Sequence, residues 1–422
     1  MTFLRAAPSA LVLAALLLPC AAQADSAVGV GITPGTEMAQ AAPPPKWAMY
    51  HDPVTGTYVK PILGLSGGFN LEMPRNKRPD GTAEPLENNL TALALAIFGV
   101  EGRLRDWATV HLEFRRDAGN YGTSVWEGTV SFTALDNYLR LEHWGFRLAA
   151  GVVSDPASTD FFSAHMTDLF MADALSRTPL LMSGFNRGQG VLLQYNWRWF
   201  TVGAFGSAGN PLSTSLSYGF GGDISPLGTI IAVPAKGMES GNPVPGYEFD
   251  VFSPSLMIES QYVDARLAYQ YQSVNTNTRK QDDVRLNGDL LRASVRGKIW
   301  GGRIQPYANY AWRKNQMVDQ GIAKNPKVYD PQSYRASVFS AGLDLNLLGA
   351  SGIGANYAYV RSKTGGLNLY EQHYLNVGAT YWVVDNVSVS LRYAKLMTMT
   401  AGDVADGIVD KDSLYLVLRL VI

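Results

Sequence analysis

The chain has 422 residues, nearly equal numbers of basic and acidic side chains (35 and 36), and an ordinary hydrophobic content of 46%. This balance gives no sign of the basic surface that nucleic-acid binding requires, and no segment supplies the roughly 18 consecutive apolar residues of a membrane helix. The only cysteine, Cys20, lies in a segment that we expect to be removed, which excludes disulfides, zinc thiolates and cysteine nucleophiles from the mature chain.

The first residues have the features of a secretory signal peptide. Arg5 supplies a positive charge, residues 10–18 (ALVLAALLL) form a short apolar run, and residues 22–24 (AQA) fit an A-x-A cleavage site. The apolar run is shorter than the ~20 residues that a spanning helix needs. Cys20 follows a proline, where a lipoprotein signal usually has a small residue. We therefore predict a cleaved signal peptide over residues 1–24.

Residues 25–57 are rich in alanine, proline and glycine. We predict a mostly unstructured periplasmic segment. A small plug or a peptidoglycan-contacting tail is the alternative.

Residues 288–313 show the pattern that organises the rest of the chain. Arg292, Arg296 and Lys298 fall on one side of a period of two, and Ala293 and Val295 fall on the other. After Gly-Gly at 301–302 the alternation resumes, as in a β-hairpin. Strands of ten or more residues with one polar face and one apolar, aromatic-ended face are typical of a membrane barrel. Strand edges must all be paired in lipid, so a spanning sheet closes on itself.

The same pattern predicts an all-β fold, a transmembrane antiparallel β-barrel of about sixteen strands, over residues 58–422. The predicted strands are 58–71, 89–103, 107–117, 122–135, 146–153, 189–196, 198–206, 253–263, 264–274, 288–300, 303–313, 334–347, 352–362, 371–383, 386–398 and 412–422. Short connections alternate with long ones, so the short turns share one rim and the long loops share the other. Residues 136–145 are assigned to a turn, with a further strand as the alternative and counts of fourteen or eighteen left open.

The last strand alternates most regularly, with Leu414, Leu416, Leu418, Leu420 and Ile422 on one side. This ending resembles the terminal strand of Gram-negative outer-membrane porins, although the final residue is Ile where Phe is usual. The resemblance implies a passive channel for small hydrophilic solutes, without a cofactor, surrounded by outer-membrane lipids. It also makes a homotrimer plausible.

The strand periodicity assigns a set of charged residues to the lumen, and most of them are basic. The basic residues are Arg115, Arg147, Arg266, Arg292, Arg296, Lys298, Arg303, Arg313, Arg392 and Arg419, and the acidic ones are Glu113, Glu127, Glu259 and Asp344. A basic wall in a water-filled tube concentrates anions, which predicts an anion-preferring pore. The alternative is that these arginines pair with the acidic residues and only keep the lumen wet.

The segment 154–188 follows the fifth predicted strand and is unusually apolar for an exposed loop. Such a long apolar loop is expected to pack against another surface. It resembles, in position and length, the loop of general porins that folds into the barrel and forms the constriction. An outer lid or a subunit contact is the alternative. The charged residues predicted for this constriction are Asp155, Asp160, Asp168, Asp173, Arg177 and Arg187.

Other functions receive less support from the sequence. Phosphate-selective porins resemble the chain in overall pattern, but none of their binding residues can be matched to it, so a phosphate- or carboxylate-specific channel remains an alternative. A closed structural or adhesion barrel is another. His111 beside Glu113 lacks an accompanying catalytic motif such as G-x-S-x-G or H-E-x-x-H. The sequence therefore predicts a channel that is not an enzyme and has no metal.

Overall fold

The computed structural model describes residues 47–74, 89–105, 107–118, 131–154, 187–207, 247–276, 284–318, 331–364, 367–401 and 411–421. A two-residue strand, β1, is followed by sixteen long ones. Their bounds are β1 Tyr50–His51, β2 Tyr58–Pro74, β3 Asn89–Leu104, β4 Ala108–Ala118, β5 Ser131–His143, β6 Phe146–Ser154, β7 Arg187–Trp197, β8 Phe200–Ser207, β9 Tyr247–Glu259, β10 Val263–Thr276, β11 Val284–Gly297, β12 Ile304–Val318, β13 Pro331–Leu348, β14 Ser351–Thr364, β15 Leu367–Val384, β16 Val387–Ala401 and β17 Lys411–Val421.

The strands β2–β17 form a closed antiparallel barrel. Each pairs with the next along the chain, and β17 returns to pair with β2, where Val421 lies opposite Gly64. Closure leaves no strand edge with unpaired backbone groups, which is the condition for a sheet in lipid. The predicted all-β barrel of sixteen strands is therefore confirmed. No helix in the described ranges is long and apolar enough to cross a membrane.

The predicted turn at residues 136–145 is wrong. Those residues up to His143 belong to β5, and the turn is only Trp144-Gly145, with φ angles of 48° and 81°. A β-carbon on Gly145 would lie 2.7 Å from the Asn196 carbonyl oxygen, so glycine fits both the left-handed backbone and the close approach of β7. The fourth barrel strand thus extends beyond its predicted end at residue 135, and the strand count is unchanged.

The turn between β11 and β12 is wider than the predicted two-residue link. Lys298 to Arg303 connect the strands, and an isolated bridge joins Ile299 to Ile304. Trp300, Gly301 and Gly302 all have positive φ angles (51°, 67° and 85°), so the chain reverses over more residues than Gly-Gly alone. Arg303, which the alternation assigned to a strand and to the lumen, is therefore an exposed turn residue.

Exposed tryptophans mark the rim of short turns. Trp107, Trp144, Trp197, Trp199 and Trp300 lie in or beside four of these turns and are each 44–85% exposed. Aromatic side chains of this kind form girdles where a barrel meets the membrane interface. The rim of short turns is therefore one edge of the apolar band.

Residues just before the barrel are ordered. The backbone of β1 pairs with β2, so that Tyr50 lies opposite Val59. The following turn is organised by Asp52, whose carboxylate accepts hydrogen bonds from the Val54 backbone N–H (2.9 Å) and the Thr55 hydroxyl (2.6 Å). These bonds favour the charged form and lower the pKa of the Asp52 carboxyl below its usual value. The end of the predicted lead-in segment is thus attached to the barrel.

Candidate functional site

The two faces of the barrel wall have opposite chemistry. Along β11 and β12, Arg292 and Arg313 are 7% and 1% exposed, whereas their apolar neighbours Val295 and Tyr310 are 46% and 39% exposed. Buried positions elsewhere in the barrel also include many polar side chains, and many large apolar side chains are exposed. The polar residues therefore face the inside of the closed barrel and the apolar ones face outward, the arrangement of a barrel in lipid.

Strands β10–β12 form the most basic part of the inner wall. In the strand register, Arg266 lies opposite Ser294, Arg296 lies opposite Asp264, and Arg313 lies opposite Leu290. Residues on one face of paired strands are about 5 Å apart across the pair and ~7 Å apart along a strand. On the inner face of β11, Arg292 lies between Arg296 and Leu290, and Leu290 is opposite Arg313. The arginines of β10, β11 and β12 therefore form one continuous basic patch.

Asp264 neutralises part of this patch. Its side chain is 5% exposed; Arg296 Nη2 lies 2.5 Å and Nε 3.1 Å from Oδ2. Lys298 Nζ lies 2.6 Å from Oδ1, at an ion-pair distance but without hydrogen-bond geometry. Arg296 and Lys298 remain 24% and 26% exposed. The three side chains together have one excess positive charge that the barrel interior can reach.

A hydrogen-bonded series of polar side chains continues the inner wall from β12 to β16. The Asn356 amide donates to the Tyr307 hydroxyl (3.1 Å), the Asn376 amide donates to Asn356 Oδ1 (2.7 Å), and Arg392 donates to Asn376 Oδ1 (3.4 Å). Tyr307 reaches past β13 at Gly342, where a β-carbon would lie 2.7 Å from the tyrosine hydroxyl. The glycine thus makes room for a connection between strands that are not neighbours.

The inner wall at β2–β4 holds a mixed cluster of the carboxylates Glu101 and Glu113 with Lys60 and His111. His111 lies between the two carboxylates, with Nδ1 3.3 Å from Glu101 and Nε2 3.0 Å from Glu113. Glu101 also accepts a hydrogen bond from the Tyr58 hydroxyl (2.7 Å) and lies 3.1 Å from Lys60 Nζ. The His111 ring is stacked on Tyr138. Each ring nitrogen of His111 therefore has a carboxylate partner, which fixes the ring in the wall.

A smaller charged group lies close to the turn between β5 and β6. Glu142 is between two arginines, 3.1 Å from Arg140 Nε and 2.5 Å from Arg147 Nε. Arg147 also donates to the Gln194 side chain (3.4 Å). Arg147 is 37% exposed, so it adds a solvent-accessible cation near the rim of short turns.

The mixed cluster of β2–β4 and the basic patch of β10–β12 lie on opposite sides of the barrel. In a closed ring of sixteen strands, β3 and β4 are half a circumference from β11 and β12. Glu101 and Glu113 on β3 and β4 therefore face the patch of Arg292 and Arg313 across the lumen. No cluster of three or more His, Cys, Asp or Glu side chains in the described segments is arranged to hold a metal ion.

Most residues predicted to line the pore lie on the inward face of the barrel. The inward face holds Glu113, Arg147, Arg266, Arg292, Arg296, Lys298, Arg392 and Arg419. The backbone of Arg115 lies opposite Ile97, and its side chain, like Glu127, is outside the described set. Arg303 is the exception described above. Of the predicted constriction residues, Asp155, Asp160, Asp168, Asp173 and Arg177 lie outside the described residues, and only the backbone of Arg187 is described, opposite Ser154.

Several inward-facing charges were missed in the sequence. Arg140 and Glu142 fell in the wrongly predicted turn, whereas Asp264 was the first residue of the predicted strand 264–274 but was not assigned to the lumen. Lys60 and Glu101 lay on correctly predicted strands, and the period of two would have found them. The missed acidic residues include the partners of Arg147, Arg296 and Lys298, so the sequence alone overestimated the unneutralised positive charge.

The fold is similar to that of solved porins. A Salmonella typhi OmpF structure is 15% identical, with a TM-score of 0.56, and the match covers 89% of this chain and 100% of that one. An anion-selective porin from Comamonas acidovorans is 11% identical (TM-score 0.56; 87% and 100% covered), and Vibrio cholerae OmpT in a trimer form is 9% identical (TM-score 0.51; 87% and 99% covered). No family model and no curated protein sequence matches the chain. The chain has the porin-like fold of an outer-membrane barrel.

Proposed function

We propose that the chain is an outer-membrane porin, a water-filled channel through which small hydrophilic solutes, preferentially anions, diffuse passively. The observation that supports it best is the basic patch on the inner wall of β10–β12. Arg266, Arg296 and Lys298 there are partly exposed, and Asp264, which contacts Arg296 and Lys298, brings one negative charge to this group. Inside a low-dielectric wall, an unbalanced positive charge raises the local concentration of anions and lowers the energy of their entry.

The similar structures support the channel and its assembly. One of them is described as an anion-selective porin, and another as a trimer. We extend both properties to this chain as part of the proposal, with outer-membrane lipids around the barrel and no enzymatic activity. The signal peptide at residues 1–24 and the constriction by the segment 154–188 belong to the same proposal.

A closed structural barrel is the second candidate, because parts of the inner wall are fully covered. Phe205 and Leu290 are 0% exposed, and Arg313 and Arg392 are 1% and 2% exposed, although all four face inward. Where these inward side chains are covered by other residues, the cross-section of the barrel that is open to water is smaller. The two candidates differ in one measurable property, which is a water path through the folded barrel.

Planar-bilayer recording of the refolded mature chain tests the proposal. We expect discrete conductance steps and a reversal potential of the anion-selective sign under a KCl gradient. The double variant Arg266→Gln/Arg419→Gln removes two inward cations and should shift the reversal potential toward cation selectivity. The matched control, Arg105→Gln/Arg198→Gln, removes two cations from short turns and should leave it unchanged.

The outcomes separate the candidates. Cation selectivity in the unmodified barrel would contradict the role of the basic wall while retaining the channel. A folded barrel that shows no conductance steps would exclude the porin and favour the closed structural protein. Folding is checked independently by the heat-dependent electrophoretic mobility typical of intact barrels.

A further inference from the structure

A row of three cations crosses the outer face of the barrel near its long-loop rim. Lys314 on β12 lies opposite Arg335 on β13, and Arg335 lies opposite Lys363 on β14. Lys314 follows Arg313, which is buried on the inner face, so Lys314 faces outward. Its register partners Arg335 and Lys363 share that face. The row is therefore on the surface that faces lipid.

The row is unfavourable on its own. Side chains directly opposite on paired strands have β-carbons about 5 Å apart, and like charges at this separation repel. None of the three forms an ion pair with an acidic side chain in the part of the chain that the structure describes. A sheet that places three cations side by side gains stability when an anion binds among them.

Asp289 lies opposite Lys314 at one end of the row, and Glu371 lies opposite Arg361, near the other end, where Lys363 itself faces Asn368. The carboxylate of Asp289, opposite Lys314, accepts a hydrogen bond from the Tyr269 hydroxyl. Glu371 on β15 is 3.8 Å from Arg361 and 3.6 Å from His373. These acids mark the limits of the cationic row and do not neutralise its centre, Arg335.

The height of the row matches the membrane interface on the long-loop side. Lys314 is ten residues from Ile304, the first residue of β12, which lies beside the Trp300 turn. Ten residues span about 34 Å along a strand and ~26 Å of height at a tilt of about 40°. This equals the ~25 Å apolar band of an outer-membrane barrel. Lys314 is therefore at the level of lipid headgroups when the short-turn tryptophans are at the opposite interface.

Aromatic residues lie on the membrane side of the row. Tyr310, Phe339 and Tyr359 form a parallel row four residues closer to the short turns, and Tyr310 and Phe339 are 39% and 41% exposed. Aromatic side chains occupy the boundary between acyl chains and headgroups. The order along the wall is thus apolar, aromatic and then cationic, which matches the layers of a leaflet of phosphorylated lipids.

We infer that Lys314, Arg335 and Lys363 bind the phosphorylated headgroup of a lipid in the leaflet on the long-loop side. Arginine at the centre supplies paired donors for a phosphate, and the two lysines add point charges on either side. The site is on the outer wall, so it is independent of the proposed channel. It would fix the barrel at a defined depth and select anionic lipids around this part of the wall.

Lipid titration of the detergent-solubilised full-length mature barrel tests this inference. Bound lipids are counted by native mass spectrometry with phosphatidic acid and, separately, with phosphatidylcholine. The unmodified barrel should bind phosphatidic acid saturably and phosphatidylcholine weakly. In Lys314→Gln/Arg335→Gln/Lys363→Gln the affinity for phosphatidic acid should fall roughly a hundredfold, since each of the three basic residues contributes about fivefold at an anionic surface. Conductance in uncharged bilayers should not change.

A control with the same charge change is available at the other rim. Arg105→Gln/Arg198→Gln/Arg303→Gln removes three cations from three separate turns, which cannot form one site, and should retain the saturable binding. If the triple variant of the row does not fold, Arg335→Gln alone removes the central cation and should still weaken binding.

Three results would overturn the inference. Equal phosphatidic acid binding by the row variant and the unmodified barrel would remove the role of these cations. Inorganic phosphate that displaces phosphatidic acid at equal concentration would identify a free-anion site instead of a lipid site. A change of oligomeric state in the row variant would identify the face as a contact between copies of the chain.

Discussion

Substitution of Asp264 by asparagine tests the electrostatics of the inner wall most directly. The change keeps the size of the side chain and removes a carboxylate that lies within 2.6 Å of both Arg296 and Lys298. Both cations remain, about a quarter exposed, and face each other without an anion between them. Breaking a buried charge pair costs about 3–5 kcal/mol, and we expect about 1–3 kcal/mol here because the cations keep contact with water.

The same change should increase anion selectivity. One unit of charge at ~7 Å from a permeating ion changes its energy by about 0.6 kcal/mol in water-like dielectric. This is a factor of about three in concentration, in opposite directions for anions and cations. Stability is measured by guanidinium unfolding of the barrel in detergent, and selectivity is measured by the reversal potential.

A double-variant cycle separates the charge effect from loss of packing. Asp264→Asn/Arg296→Gln restores the local charge balance, so it should recover the original reversal potential and part of the lost stability. The reasoning would be refuted if Asp264→Asn left both unfolding and reversal potential unchanged, or if the stability lost in the double variant were simply the sum of the losses in its two single variants.

Two further predictions concern the inner wall. His111→Gln should lower the free energy of unfolding by about 1–3 kcal/mol, since one glutamine cannot bridge both Glu101 and Glu113; a variant as stable as the unmodified barrel in guanidinium would contradict this. Gly342→Ala should destabilise the barrel by about 1–3 kcal/mol, because the added carbon meets the Tyr307 hydroxyl and strand backbone. Gly206→Ala, whose added carbon meets nothing within 4 Å, is its control, and equal refolding of both variants would disprove the steric argument.

The strand pattern was predictable because a period of two is strictly imposed on a wall with lipid on one side and polar groups on the other. The positions of Arg292, Arg296 and Arg392 followed from alternation alone. The bounds of the turn at Trp144-Gly145 were not predictable in this way. Residues 137–143 alternate as in a strand, but they begin next to Asp136 and Asn137, which are residue types typical of turns. Strand length there is decided by pairing with β6, which only the folded barrel shows.

Charge pairing was the least predictable feature. Asp264 and Arg296 are 32 residues apart in sequence and become neighbours through the register of β10 and β11. Counting basic residues on predicted strands therefore gave the sign of the wall near β10–β12 but not its magnitude. The location of the cluster around Glu101 and Glu113 is also a property of strand order, because its position across the lumen follows from closure of β17 onto β2.

The near-zero net charge of the chain conceals a separation of charge by face, by height and by side of the barrel. On β12 alone, Arg313 faces inward and the next residue, Lys314, faces outward. Because adjacent residues of a strand meet different environments, the lumen and the lipid contact can be altered independently at neighbouring positions. In the two functions that we propose, basic residues on the inner wall act on solutes and those on the outer wall act on lipid headgroups, so the face and height of a cation would decide its role more than the number of cations in the composition.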